Sequence, residues 1–170
     1  MSFYRSRRPK AETEKCTDPA KARARAVEVL AAKEISSGQL YERLCRSFTE
    51  QAAAFAVAEM VELDYVNDER YAQARAHGLL TARKSRRAAA QDLRQKGMSG
   101  QQIEQALESV YAPDEEGESP ELKAAEALVR SRYRTKLASG RRDLVVAALM
   151  RRGFAYPVVK EAVRRADEDL

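Results

Sequence analysis

One stretch of this chain occurs twice, and that constrains the fold more than any other feature. Arg86–Met98 (RRAAAQDLRQKGM) aligns with Arg142–Phe154 (RDLVVAALMRRGF) at a constant offset of 56 residues, setting Leu93 on Leu149, Lys96 on Arg152, Gly97 on Gly153 and Met98 on Phe154. Farther on, Ile103 falls on Val159 and Ala106 on Ala162. A weaker third copy, Ser37–Phe48 (SGQLYERLCRSF), aligns Leu44 with Leu93, lacks the glycine and is one residue shorter. Repeats of about 50 residues make a chain of stacked units, usually a binding surface and seldom a catalyst.

Each unit reads as three helices. In the middle unit Asn67 or Asp68 caps a first helix running through Tyr71, Ala74 and Leu79, because a short side-chain oxygen satisfies the open N–H groups of the first turn. Ala89, Ala90 and Leu93 form the inner stripe of a second helix that stops at Gly97, a residue suited to the left-handed conformation at a helix end. Ser99 with Gln102 forms a capping box opening a third helix, whose Ile103, Ala106, Leu107 and Val110 face inward. The third unit repeats the order with Val145, Val146 and Leu149, then Gly153, then Val158, Val159, Ala162 and Val163. In the first unit Ser36 and Gln39 make the box, the last helix carries Val57, Met60, Val61 and Leu63, and the apolar stripes of all three units read as core, facing inward. No segment alternates with period two, so the expected fold is all-α: three tandem three-helix repeats forming an elongated, curved body. The expected boundaries are a polar, disordered tail at 1–19, repeats at 20–66, 67–111 and 121–170, and an acidic flexible linker at 112–120. In that linker (APDEEGESP is Ala112–Pro120) Ser119 caps the next helix and Pro120 takes its first position. A hinge there would let the third repeat swing.

Composition narrows the function. The chain is 44% apolar but only 6% aromatic, with much alanine, which suits thin, closely packed helical cores. No apolar run is long enough to span a membrane, and MSFYRSRRPK lacks the apolar stretch of a signal peptide, so a cytoplasmic protein is expected. Cys16 and Cys45 have no Cys or His neighbours at zinc-site spacing and read as free thiols. The single histidine, His77, has no partner at catalytic spacing, no glycine-rich phosphate loop is present, and Asp68 and Glu69 read as first-turn residues. An enzyme is not expected, nor is a cofactor or metal.

Charge points to a partner. Residues 67–110 carry 8 Lys+Arg against 5 Asp+Glu and residues 121–170 carry 12 against 7, whereas residues 20–66 carry 6 against 7. One cluster holds Arg83, Lys84, Arg86 and Arg87, extended by Arg70 and Lys96. The other holds Arg130, Arg132, Arg134 and Lys136 interleaved with Tyr133, joined by Arg141, Arg142, Arg151 and Arg152. Such patches grip phosphates or an acidic protein groove, although any one of these side chains could equally be a solvated face.

The stretch Asp64–Ala72 (DYVNDERYA), the basic junction after it and Leu93–Met98 (LRQKGM), in this order, resemble the signature of RecX, the bacterial regulator of the RecA recombinase. The resemblance covers about Ala20 to Ala166, with two departures: Asp64 stands where the family usually has glycine, and the first repeat lacks the glycine that ends its second helix. It implies three tandem three-helix repeats and binding in the groove of the RecA nucleoprotein filament, restraining ATP hydrolysis and strand exchange; a monomer whose bridging also stops filament extension is expected. Roles in DNA repair, homologous recombination and the SOS response follow from the same resemblance. Two other readings stay open: a stand-alone helical protein that binds DNA directly, and a helical-repeat scaffold unrelated to DNA.

Overall fold

The computed structural model of the chain describes residue 11 and residues 14–168, so most of the tail expected at 1–19 lies outside the described residues. The fold is all-α. Helices α1 (Pro19–Ala32), α2 (Ser37–Leu44) and α3 (Glu50–Glu62) fall in the first repeat, and α4 (Asp68–Thr81), α5 (Arg86–Gln95) and α6 (Gly100–Val110) in the second. The third repeat holds α7 (Pro120–Leu128), a π-helical turn (Val129–Tyr133), α8 (Arg134–Ala138), α9 (Arg142–Arg151) and α10 (Tyr156–Glu168). An isolated parallel bridge joins Cys16 to Phe48 ahead of α1.

The chain divides into two compact units, Met1–Tyr71 and Ala72–Leu170. The division falls inside α4, and the 112–120 connector lies within the second unit. There Asp114 accepts hydrogen bonds from the N–H groups of Glu116 (3.1 Å) and Glu118 (2.8 Å) and from Lys123 Nζ (2.5 Å). One short acidic side chain thus closes the connector into a turn, an Asx-type arrangement that composition alone does not reveal. The Lys123 ammonium holds the Asp114 carboxyl below its usual range.

Local chemistry sets the helix starts. Ser36–Gln39 and Ser99–Gln102 form reciprocal capping boxes, Thr49 and Ser85 cap α3 and α5, and Ser119 caps α7 with Pro120 behind it. Of the two residues expected to cap α4, Asn67 does so by accepting from Arg70 N (2.9 Å). Asp68 turns instead to α2 of the first repeat, accepting from Ser37 N (2.7 Å) and Ser37 Oγ (2.5 Å).

In the first unit Ala22, Ala26 and Val29 of α1 pack with Ala52, Ala53, Ala56 and Met60 of α3, and Leu40 and Leu44 of α2 complete the core. Small residues let these backbones approach closely. Val61 and Leu63, expected to face inward, are 48% exposed, because the start of α3 at Thr49 phases the alanines and Met60 to the interior instead. In α4 the buried residues are Ala72, Ala76 and Leu79, and Ala74 is exposed. In the second unit Leu128, Val129 and Leu137 pack with Val145 and Leu149 of α9, Phe154, and Val159, Ala162 and Val163 of α10.

Candidate binding cleft

Five helices end in the same way. At Asp64, Arg83, Gly97, Gly140 and Gly153 the backbone turns left-handed, with φ of 55°, 57°, 82°, 74° and 89°. Each of these N–H groups bonds the carbonyl three residues back, and the next N–H reaches the carbonyl five residues back. At Arg83 the acceptors are Leu80 O (2.7 Å) and, for Lys84 N, Leu79 O (2.9 Å). This Schellman closure favours glycine, since a Cβ in that conformation costs on the order of 1 kcal/mol. Asp64 and Arg83 are the exceptions, and at both the side chain is engaged. Asp64 accepts from Asn67 Nδ2 (3.0 Å) and Arg70 (3.2 Å), bonds that hold its carboxyl below the usual range.

Arg83 reaches across to the third repeat. Its Nη1 donates to Ser131 Oγ (2.7 Å) and to the Ala127 carbonyl (3.3 Å). Around it the second repeat is joined to the third by two further bonds. Ser85 is buried, caps α5 by accepting from Ala88 N (3.1 Å), and donates its hydroxyl to the Arg152 carbonyl (2.9 Å). Arg86 N donates to Glu121 Oε1 (2.9 Å) at the start of α7. Within the second repeat, Tyr111 donates its hydroxyl to the Lys84 carbonyl (3.0 Å). Burial, together with the charge of Glu121, pushes the Tyr111 phenol up to about 12.

Gly153 makes the approach of Arg152 to Ser85 possible. A Cβ there would stand 2.8 Å from Ser85 Oγ. The glycine is therefore required twice, once for its φ and once for the contact.

The joint leaves a polar cleft of about 560 Å³ lined by Thr81, Ala82, Arg83, Lys84, Leu128, Arg132 and Arg152. It draws Arg83 and Lys84 from one sequence cluster and Arg132 and Arg152 from the other. The π-helical turn positions Arg132: a wider turn re-aims the side chains that follow it, and such turns recur at functional sites. Ser131 Oγ returns to the Ala127 carbonyl (2.7 Å) within that turn. Arg152 donates Nε to the Tyr133 hydroxyl (3.2 Å), and Lys136 Nζ sits 5.9 Å from the centroid of the Tyr133 ring.

The cleft is set apart by what its cations meet. None of its lining residues is acidic. Among the described residues, Arg83 and Arg152 bond only neutral oxygens, and neither Lys84 nor Arg132 lies within ion-pair distance of a carboxylate. Asp92 is held by Arg75 through Nε (2.7 Å) and Nη2 (2.9 Å), which keep its carboxyl below the usual range, and the Lys84 charge is the smallest of the influences on it.

Other residues singled out in the sequence have different surroundings. Arg70 belongs to the first unit and pairs with Asp64. Arg86 pairs with Glu104 (2.5 Å), Arg130 with Glu126 (2.6 Å) and Arg142 with Asp167. Lys96 ends α5 near Asp92, and Arg87, Arg134, Arg141 and Arg151 are exposed. Sequence reasoning missed Ser85, Ser131 and Thr81. Ser85 carried a signal, since it precedes α5 where Ser36 precedes α2. Ser131 and Thr81 carried none.

The family described as RecX, second three-helix domain, matches residues 67–107, which span α4, α5 and most of α6. The regulatory protein RecX of Caldanaerobacter subterraneus subsp. tengcongensis is 35% identical over 98 residues, covering 57% of this chain and 50% of that protein. Over these residues the chain resembles the RecX family. The regulatory protein RecX of Myxococcus xanthus is 31% identical over 110 residues, covering 63% of this chain and 58% of that protein, so the matches span little more than half the length of these curated relatives. The crystal structure of RecX from Lactobacillus salivarius superposes with a TM-score of 0.73 at 17% identity, covering 88% of this chain and 96% of that one. A second RecX crystal structure gives 0.70 at 21% identity, with 89% and 72% covered. At these identities the two structures establish the fold. The matched RecX domain supplies only one wall of the cleft, Thr81–Lys84; Leu128, Arg132 and Arg152 lie beyond it.

Proposed function

We propose that this chain modulates the RecA recombinase, mainly as an inhibitor, by binding as a monomer in the groove of the RecA–DNA filament. It bridges neighbouring protomers and so restrains ATP hydrolysis, strand exchange and filament extension. The observation that carries this reading is the gathering of cations without carboxylate partners into one cleft, in a chain that resembles the RecX family. A groove that repeats along a filament meets a chain of repeated units, and linked modest contacts raise avidity without any one strong site. Protomers held in one arrangement cannot make the motions that accompany nucleotide turnover, so a binder selective for that arrangement lowers the rate.

The test is DNA-dependent ATP hydrolysis by RecA, measured as this protein is titrated in. Lys84→Glu with Arg132→Glu should raise the half-inhibiting concentration by about tenfold or more, as expected for the loss of two contacts of about 1 kcal/mol each. Arg25→Glu, at an exposed arginine paired with Glu28 in the first unit, should leave inhibition nearly unchanged. Full potency in the double variant, with helicity intact, would place the RecA-binding surface elsewhere on the chain.

A further inference from the structure

The cleft has the chemistry of an oxyanion site, and its own ligand can be argued from the charges that form it. Among the described residues, some arginines outside the cleft meet carboxylates: Arg23 pairs with Glu59, Arg25 with Glu28, Arg75 with Asp92, Arg164 with Glu161 and Glu168, and Arg165 with Glu118 and Glu161. Arg83, Lys84, Arg132 and Arg152 do not, although they converge on one space. Self-repulsion among four cations is unfavourable and persists only where the fold fixes the groups. Here Ser131 Oγ and the Ala127 carbonyl fix Arg83, and the Tyr133 hydroxyl fixes Arg152. These bonds use Arg83 Nη1 and Arg152 Nε, so Nε and Nη2 of Arg83 and both Nη atoms of Arg152 have no hydrogen-bond acceptor among the described residues.

We propose that this cleft binds phosphate groups. A single carboxylate brings one negative charge to four cations. A phosphate dianion, or two successive phosphodiesters, balances more of the charge and offers each guanidinium a pair of oxygens in the geometry its planar fork matches. A volume of about 560 Å³ accommodates more than one such group. The same chemistry could come from a nucleic-acid backbone or from a free phosphate compound. The inference concerns the isolated chain and stands or falls without RecA.

The experiment follows backbone and arginine side-chain 15N–1H resonances of the full chain while sodium phosphate replaces sodium chloride at constant ionic strength. A parallel arm adds an oligothymidylate. Lys84, Ser85, Arg132 and Arg152 should shift, and Lys84→Ala with Arg132→Ala, at two exposed positions outside any core, should weaken the saturable response by at least fivefold. If the oligothymidylate saturates the same resonances at a concentration of nucleotide phosphate tenfold or more below that of inorganic phosphate, the source is a nucleic-acid backbone. Its affinity should then fall with salt at a log–log slope of about −3 in wild type and about −1.4 in the double variant. If inorganic phosphate saturates equally well, the source is a free phosphate compound. Shifts spread evenly over Arg25, Arg87 and Arg151, or a glutamate-rich peptide that moves the cleft resonances at lower concentration than either phosphate source, would overturn the proposal.

Discussion

The joint between the first and second repeats and the joint between the second and third share one kind of contact, and each adds others of its own. In both, the N–H that opens the repeat's second helix donates to a carboxylate in the first turn of the next repeat's first helix: Ser37 to Asp68, and Arg86 to Glu121. At the first of these joints Asp68 also takes the Ser37 hydroxyl, and the Tyr71 hydroxyl donates to Gln39 Oε1 (3.2 Å). Partners there are short, polar and matched. At the second joint the added acceptors are the main-chain carbonyls of Ala127 and Arg152 and the Ser131 hydroxyl. Neutral acceptors can hold a guanidinium in place without cancelling its charge. The lesson is that an excess of arginine marks a site only where the groups that position it are uncharged.

Gly153→Ala should separate the two joints most sharply. A left-handed φ and a Cβ 2.8 Å from Ser85 Oγ together should lower stability by about 2–4 kcal/mol, read as a shift of the urea midpoint. The first unit should retain its amide-exchange protection. A substitution that costs less than about 1 kcal/mol would mean that the approach of α9 to Ser85 is looser than described.

Ser85→Ala should come next, at about 1–3 kcal/mol, because it removes the α5 cap and leaves the Arg152 carbonyl without its donor. It should also weaken binding at the cleft, since Arg152 is then held only through Tyr133. Asp68→Ala is the matching change at the other joint. It should lower stability by about 1–2 kcal/mol and leave the cleft resonances where they are. Movement of Arg83 or Arg132 signals in that variant would break the distinction between the joints.

The smallest effect is a pH dependence. The folded phenol of Tyr111 titrates at about 12 against an ordinary value of 10.0, so the folded state favours the protonated form. The stability this confers is complete below pH 10 and declines as pH rises from 10 towards 12. Ultraviolet titration of the tyrosines should show one late phenol, absent from Tyr111→Phe, and the variant should lose less stability over that range than wild type.

What could be read in advance was local. Ser36–Gln39, Ser99–Gln102, Ser119–Pro120, Gly97 and Gly153 announced themselves because capping chemistry depends on residues within four positions. Arg83 and Asp64 were not readable as left-handed helix ends, since neither residue type specifies that conformation. Val61, Leu63 and Ala74 misled because inward position depends on the phase of the helix start, and in α3 alanines took the places larger residues seemed to claim. Both basic clusters were visible in the chain. Their meeting in one cleft was not, because it depends on a close approach at Gly153 and on a π turn with no sequence mark.

That π turn carries a consequence of another kind. Counting forward, the left-handed residue after α8, Gly140, lies 57 positions beyond Arg83, while Arg142 lies 56 beyond Arg86. The third repeat's first helical run has gained residues, and the connection after it is one residue shorter than its counterpart. The residue given up leaves no place for a serine: α9 begins behind Arg141, which makes no side-chain cap, where α5 begins behind Ser85. An uncapped helix frays from its first turn, so the amides of Asp143 and Leu144 should exchange with solvent sooner than those of Arg87 and Ala88. A one-residue slip in one helix thus fixes where the next begins to open.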